Sequence, residues 1–239
     1  MTIIAKARAA CVAALVGATL AAGTGTATAG GGVGGGVGGG GVGGIEAASV
    51  PYYHQALAND CEAAALRMVL ASRGVTASDQ DVLDRIGVDW DHPEFGHSGP
   101  LSGDPYEAFV GDPDGSEVDG TGFGVYAPPV AKAARAFGLS VAHSGSGISV
   151  QTLKDSLAAG RPAIVWVDYL WRHLRSTTYT AYDGVKVLYA GPAEHAVVVT
   201  GFGDGTVSVN DPARGRTTVS ETDFENGYAT YGRMAVVVD

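Results

Sequence analysis

Val50-Pro51-Tyr52-Tyr53-His54-Gln55-Ala56-Leu57-Ala58-Asn59-Asp60-Cys61-Glu62-Ala63-Ala64-Ala65-Leu66-Arg67-Met68-Val69-Leu70 reads as an extended segment that runs into a helix, and the rest of the chain is arranged around it. Leu66, Val69 and Leu70 recur at three- and four-residue spacing, which gives the helix one apolar stripe for a core. Asn59 or Asp60 can cap it, because a short side-chain oxygen accepts an amide that has no acceptor within the first turn. Gly74 stands where the helix should stop. Cys61 therefore falls in the first turn, at the positive end of the helix dipole, which favours thiolate over thiol. That is where a nucleophile is expected. The plainer alternative is a small buried apolar residue.

Upstream, Met1 to about Gly30 carries Lys6 and Arg8, then an apolar run from Ala9 to Ala22, then the small residues Ala27-Thr28-Ala29. This is the pattern of a cleaved secretory signal over residues 1–29, and the apolar run is too short to span a bilayer. The mature chain is expected to be exported, with no membrane span. Residues 30–44 are glycine interrupted only by valines at 33, 37 and 42, and residues 30–49 read as a flexible linker. Residues 50–239 are long enough for one domain with a substantial core. The formal charge is −10, and losing Lys6 and Arg8 with the leader makes the mature chain more acidic. No basic patch interleaved with aromatics is present, so nucleic acid is excluded as a partner.

The two cysteines are Cys11 and Cys61, and Cys11 leaves with the leader. An exported chain with one thiol has no internal disulfide to make, so Cys61 invites a functional reading, with intermolecular pairing as the competitor. Absent that pairing, a monomer is expected.

Beyond the cysteine helix, residues 76–86 predict a second helix capped by Ser78, with Val82, Leu83 and Ile86 inward. Residues 88–126 are polar and glycine-rich and read as a long loop, of the kind that forms a lid or a binding wall. His92 and His97 lie in it beside several acids, but neither a calcium-loop pattern nor HExxH is present, and no metal or cofactor is expected. Pro128-Pro129 opens a helix that runs to Phe137 and stops at Gly138; residues 149–159 form another, ending at Gly160. Short strands rich in valine and aromatics follow, at 162–169, 186–189, 195–201, 207–209 and 233–238. Helices followed by strands point to an α+β fold.

Thiolate catalysis needs a base for the thiol proton and a group that orients the base. His195 begins one strand, Gly203-Asp204-Gly205 signals a hairpin turn, and the return strand ends at Asp211-Pro212. A two-residue loop at 203–204 pairs His195 with residue 212, and a shift of one pairs it with Asp211; one further step the same way would leave Asn210 facing the ring. Taken singly, His195 is an ordinary strand-edge histidine and Asp211 a turn initiator. Combined with a lone cysteine at a helix start, they make a Cys–His–Asp set.

The order Gln55, Cys61, His195, Asp211-Pro212 resembles the papain-like cysteine peptidases. More closely it looks like the domain of bacteriocin-processing peptidases that cleave double-glycine leaders, and like their secreted stand-alone relatives. The stretches that carry the resemblance are Val50 to Gln55, Asp60-Cys61-Glu62, Met68-Val69-Leu70, Phe109-Val110-Gly111, Gly124 to Pro129, Gly160-Arg161-Pro162 and Glu194 to Val199. It implies a papain-like fold, with the cysteine helix packed on an antiparallel sheet that carries the histidine and aspartate. It also implies that Gln55 donates its side-chain amide to the oxyanion, beside the Cys61 backbone amide. A peptide or protein is then the expected partner. The same thioester chemistry serves acyl transfer or cell-wall amide hydrolysis, and a non-catalytic extracellular binding domain is the alternative from another class.

Overall fold

The computed structural model of the chain describes residues 44–46 and 49–239. The expected secretory signal and most of the expected glycine linker therefore lie outside the described residues. In chain order the elements are β1 (Ile45–Glu46), α1 (Cys61–Ser72), α2 (Asp79–Ile86), β2 (Val88–Asp89), β3 (Phe109–Gly111), β4 (Gly122–Gly124), α3 (Ala127–Ala136), β5 (Val141–Gly145) and α4 (Val150–Ala158). Then come β6 (Ala163–Asp168), β7 (Thr177–Thr180), β8 (Lys186–Tyr189), β9 (Glu194–Gly203), β10 (Thr206–Asp211), β11 (Gly215–Ser220), α5 (Glu221–Thr230) and β12 (Ala235–Val238). Among these described residues no helix is long and apolar enough to cross a membrane.

The main sheet runs in the order β11-β10-β9-β6-β12-β5, with β1 on β9. Every pairing in it is antiparallel. Its central strands are buried on both sides, and the two-residue pleat divides them cleanly. Ile164, Trp166, Ala196, Val198, Val236 and Val238 pack with α1 and α3 on one face. Val165, Val167, Val197, Val199, Ala235 and Val237 pack with α4 and α5 on the other. Covering both faces is why these strands are apolar at consecutive positions.

The helix termini follow local chemistry. Ser78 and Asp81 form a reciprocal capping box at α2, and Ser149 and Ser220 cap α4 and α5. The chain leaves α1, α3 and α4 through Gly74, Gly138 and Gly160, all at positive φ. At α1, by contrast, Asp60 holds the cap position without making the cap bond: its Oδ1 accepts the Leu57 amide.

Three expectations change. The β9–β10 turn is Asp204-Gly205, both at positive φ, and not 203–204. Its register sets Val207 against Phe202, then slips at a bulge to set Val209 against Val199, so His195 has no ladder partner at 211 or 212. Residues 88–126 are not one open loop: they contain the small sheet β2-β3-β4, and Phe109, Val110, Phe123, Val125 and Tyr126 are core residues. Ile45–Glu46, assigned to the linker by composition, pair with Gly201–Phe202 along the edge of β9. The helix α5 and the strands β5, β7 and β11 have no counterpart in the sequence reading.

Candidate active site

Cys61 is the first residue of α1 and is only 5% exposed. Its Sγ accepts a hydrogen bond from the Ala196 backbone N–H at 3.3 Å, which ties the helix start to the strand beside His195. His195 Nε2 lies 2.8 Å from Asp211 Oδ1. The same carboxyl oxygen accepts the N–H groups of Ala213 and Arg214, so the turn after β10 fixes the acid that fixes the ring. Burial works against charge on Asp211, but the hydrogen bond and charge of His195, the Ala213 amide and Arg214 together hold its carboxyl below the usual range. Asn210 does not face the ring. Its amide donates to the carbonyls of Val50 and Pro51 and ties the leading segment to β10.

Gln55 is anchored to the same corner, its backbone N–H donating to Pro212 O at 3.1 Å. The side-chain Nε2, however, donates to Leu57 O and Ala58 O at 3.0 and 2.9 Å. Both of its hydrogens are occupied in this geometry. By contrast, the Cys61 backbone N–H is one of the first-turn amides that a helix cannot satisfy internally.

A model of the Peptidase_C39 like family matches residues 47–236, which include Gln55, Cys61, His195 and Asp211. The chain belongs to that family. A crystal structure from Bacillus anthracis, described as a C39-like peptidase, is similar over 82% of this chain and 97% of its own, with a TM-score of 0.70 and 26% identity. The protein YvpB of Bacillus subtilis strain 168 is 29% identical over 194 residues, 76% of this chain and 70% of its own. A double glycine motif protease from an AMS/PCAT transporter, solved with the leader peptide, aligns at 21% identity and a TM-score of 0.44.

Within this C39-like frame the surroundings of Cys61 differ from what a helix N-terminus alone suggests. The thiol donates to Glu62 Oε2 at 3.4 Å, and no hydrogen bond joins it to His195 among the described residues. The pleat accounts for this. Ala196 turns toward α1, whereas His195 and Asp211 share the parity of Val197 and Val209 on the other face. Burial, then the charges of Glu62 and Glu194, push the Cys61 thiol well above its ordinary pKa. The expected thiolate bias is reversed in this geometry, because burial first, and then two neighbouring carboxyls, outweigh a partial dipole charge.

Three carboxyls surround the sulfur's neighbourhood that the sequence reading assigned no role. Glu62 is fully buried, accepts the Val125 N–H at 2.6 Å and is pushed up to about 7, chiefly by burial. Glu194 is 8% exposed, and burial with the charges of Glu62 and Glu117 drives it well above the normal range. Glu117 accepts the Glu194 N–H at 3.2 Å and is pushed up to about 9, again first by burial. Glu194 Oε1 and Glu117 Oε1 are buried with no protein partner. Gly124 admits this cluster: a Cβ there would lie 2.5 Å from Glu62 Oε1 and 3.1 Å from Glu194 Oε2. Glu62 follows the cysteine and Glu194 precedes the histidine, so adjacency was the signal available in the sequence. Nothing local marks Glu117.

Residues 88–126 thus supply part of the site's wall through Glu117 and Val125. An open cleft lined by Glu94, Phe95, His97, Glu117, Val118 and Tyr189 runs beside it. His92 is stacked on Tyr182, ring centroids 3.6 Å apart, and bonds Asp89, while His97 pairs with Glu94. The two rings therefore have separate partners.

Proposed function

We propose that the chain is an exported cysteine peptidase in which Cys61 is the nucleophile, His195 the base and then the acid, and Asp211 the group that orients the ring. The observation that carries this reading is the contact of Cys61 Sγ with the backbone of Ala196, next to an imidazole held by Asp211 at 2.8 Å. With Nε2 committed to Asp211, Nδ1 is the nitrogen left to face the thiol. For the pair to meet, the thiol must leave its bond to Glu62 and the ring must reach it around the start of β9, a tightening from looser resting geometry of the kind catalytic contacts show.

In the reaction, His195 Nδ1 takes the Cys61 proton and the thiolate attacks the carbonyl carbon of a peptide or amide. The Cys61 backbone N–H meets the developing oxyanion, and Gln55 joins it once its side chain releases Leu57 O and Ala58 O. The protonated imidazole gives its proton to the leaving amine as the C–N bond breaks. Water, deprotonated by the same ring, then cleaves the thioester and restores the thiol. Asp211 remains charged throughout and keeps the ring from turning.

The test is a peptide library incubated with the full chain and read by mass spectrometry, with Cys61→Ala and His195→Ala as controls. Cleavage that both substitutions abolish supports the reading. Products that form only when an amine is added would make the protein a transferase, and a biological effect that survives Cys61→Ala would make it a binding domain. Export is checked separately by the N-terminal sequence of the secreted protein, expected to begin after Ala29.

A further inference from the structure

Cys61 Sγ, a carboxyl oxygen of Glu62 and a carboxyl oxygen of Glu194 all lie within 4.8 Å of one another, and all three residues are buried. We propose that they form a binding site for a divalent, thiophilic cation of the zinc class, whose occupancy takes Cys61 out of reaction. Binding needs no redox partner: the thiol loses its proton to solvent as the sulfur–metal bond forms. The inhibitory half of the inference rests on Cys61 being the nucleophile; the binding half does not.

The first support is geometric. Zn–S of about 2.3 Å and Zn–O of about 2.0 Å at a tetrahedral angle place sulfur and oxygen roughly 3.5 Å apart, and Cys61 Sγ lies 3.4 Å from Glu62 Oε2. A second support is independent of the cysteine. Glu194 is 92% buried by its 8% exposure, yet its Oε1 has no hydrogen-bond partner, and among the described residues neither Glu62 nor Glu194 is in an ion pair. A buried carboxyl without partner or counter-charge is costly, and a cation satisfies it while joining the set. Sulfur as a ligand selects zinc-like ions over calcium or magnesium, which need six or more oxygens. Water completes the coordination at the Glu194–His195 edge, where both residues retain 8% exposure.

The experiment uses the full chain carrying Cys11→Ser, which leaves Cys61 as its one thiol, titrated with cobalt(II) as an optical stand-in for zinc. A near-ultraviolet thiolate-to-cobalt absorption is expected, lost in Cys61→Ser, displaced by zinc, and needing about tenfold or more extra cobalt in Glu194→Gln. Zinc should slow iodoacetamide labelling of Cys61 and a chelator should restore it, a readout that needs no ligand substitution and so survives if Glu194→Gln does not fold. No absorption at millimolar cobalt, an absorption that persists in Cys61→Ser, or labelling indifferent to zinc would overturn the inference and show that protons alone occupy the cluster. Peptide cleavage unaffected by zinc defeats the inhibitory claim while leaving the peptidase reading intact. Metal binding by a protein that stays inert when chelated defeats the peptidase reading, and the inhibitory claim with it, while the binding half stands.

Discussion

Cys61 stands between two electrostatic influences of opposite sign, the amide dipoles of α1 and the carboxyls of Glu62 and Glu194. Burial and the carboxyls win, so the thiol is held protonated and bonded to Glu62. Labelling of Cys61 by a neutral alkylating agent is therefore expected to be slower than that of a free thiol at pH 7 and still rising at pH 9. Glu194→Gln should move the profile toward lower pH, and a rate plateau near neutrality in the unsubstituted protein would sink this account. Asp211 gives a sharper prediction. Asp211→Asn keeps an Oδ1 that can accept from His195 Nε2 and from the Ala213 and Arg214 amides, but it carries no charge to hold the protonated ring. We expect kcat for cleavage to fall by about 10²–10⁴ with little change in thermal stability. A matching loss of melting temperature would mean that Asp211 serves the turn and not the ring.

At the scale of elements, the site is the meeting of a helix start, a strand start and the β3–β4 segment. Gly124, at the end of β4, sits at φ +147° with Glu62 and Glu194 closing over the space a side chain would need. Gly124→Ala should cost about 1–3 kcal/mol through overpacking and should loosen the Val125–Glu62 bond. That corresponds to a drop of several degrees in a melting curve. Ser78→Ala, which removes the α2 capping box far from the site, is expected to cost about 1 kcal/mol and leave Cys61 labelling unchanged. The two substitutions together separate loss of stability from loss of site geometry. The serine caps and glycine exits that bound α2 and α4 are legible in the sequence because each depends on residues within one turn. The helix α5 was missed although Ser220 and Asp223 carry the same cap signal, because Gly227 interrupts its interior and its apolar pattern is weak.

For the molecule as a whole, buried carboxyls set the pH response. Asp60 and Glu62 are raised to about 7 and Glu117 to about 9, each first by burial. Between the unfolded values near 4 and these folded ones, the folded state binds more protons, so stability is full in mild acid and declines as pH rises. Asp211 acts oppositely, but only below its ordinary range. The melting temperature should therefore fall between about pH 5 and pH 9, with Glu117→Gln flattening the upper part of that fall. A rise through the same window would show the carboxyls already charged and paired. The sequence determined the α+β class, four of the five helices among the described residues, the valine-rich strands and the candidacy of Cys61, His195 and Asp211. Each depends on local periodicity, a nearby cap or a conspicuous residue type. What only the tertiary structure decided was the state of those residues: the bulge that shifts β9 against β10, the Gln55 amide spent on Leu57 and Ala58, and the thiol bonded to Glu62 rather than to His195. The physical reason is that burial, pleat parity and the approach of Glu117 from 77 residues away are properties of packed surfaces, and no window of sequence contains them.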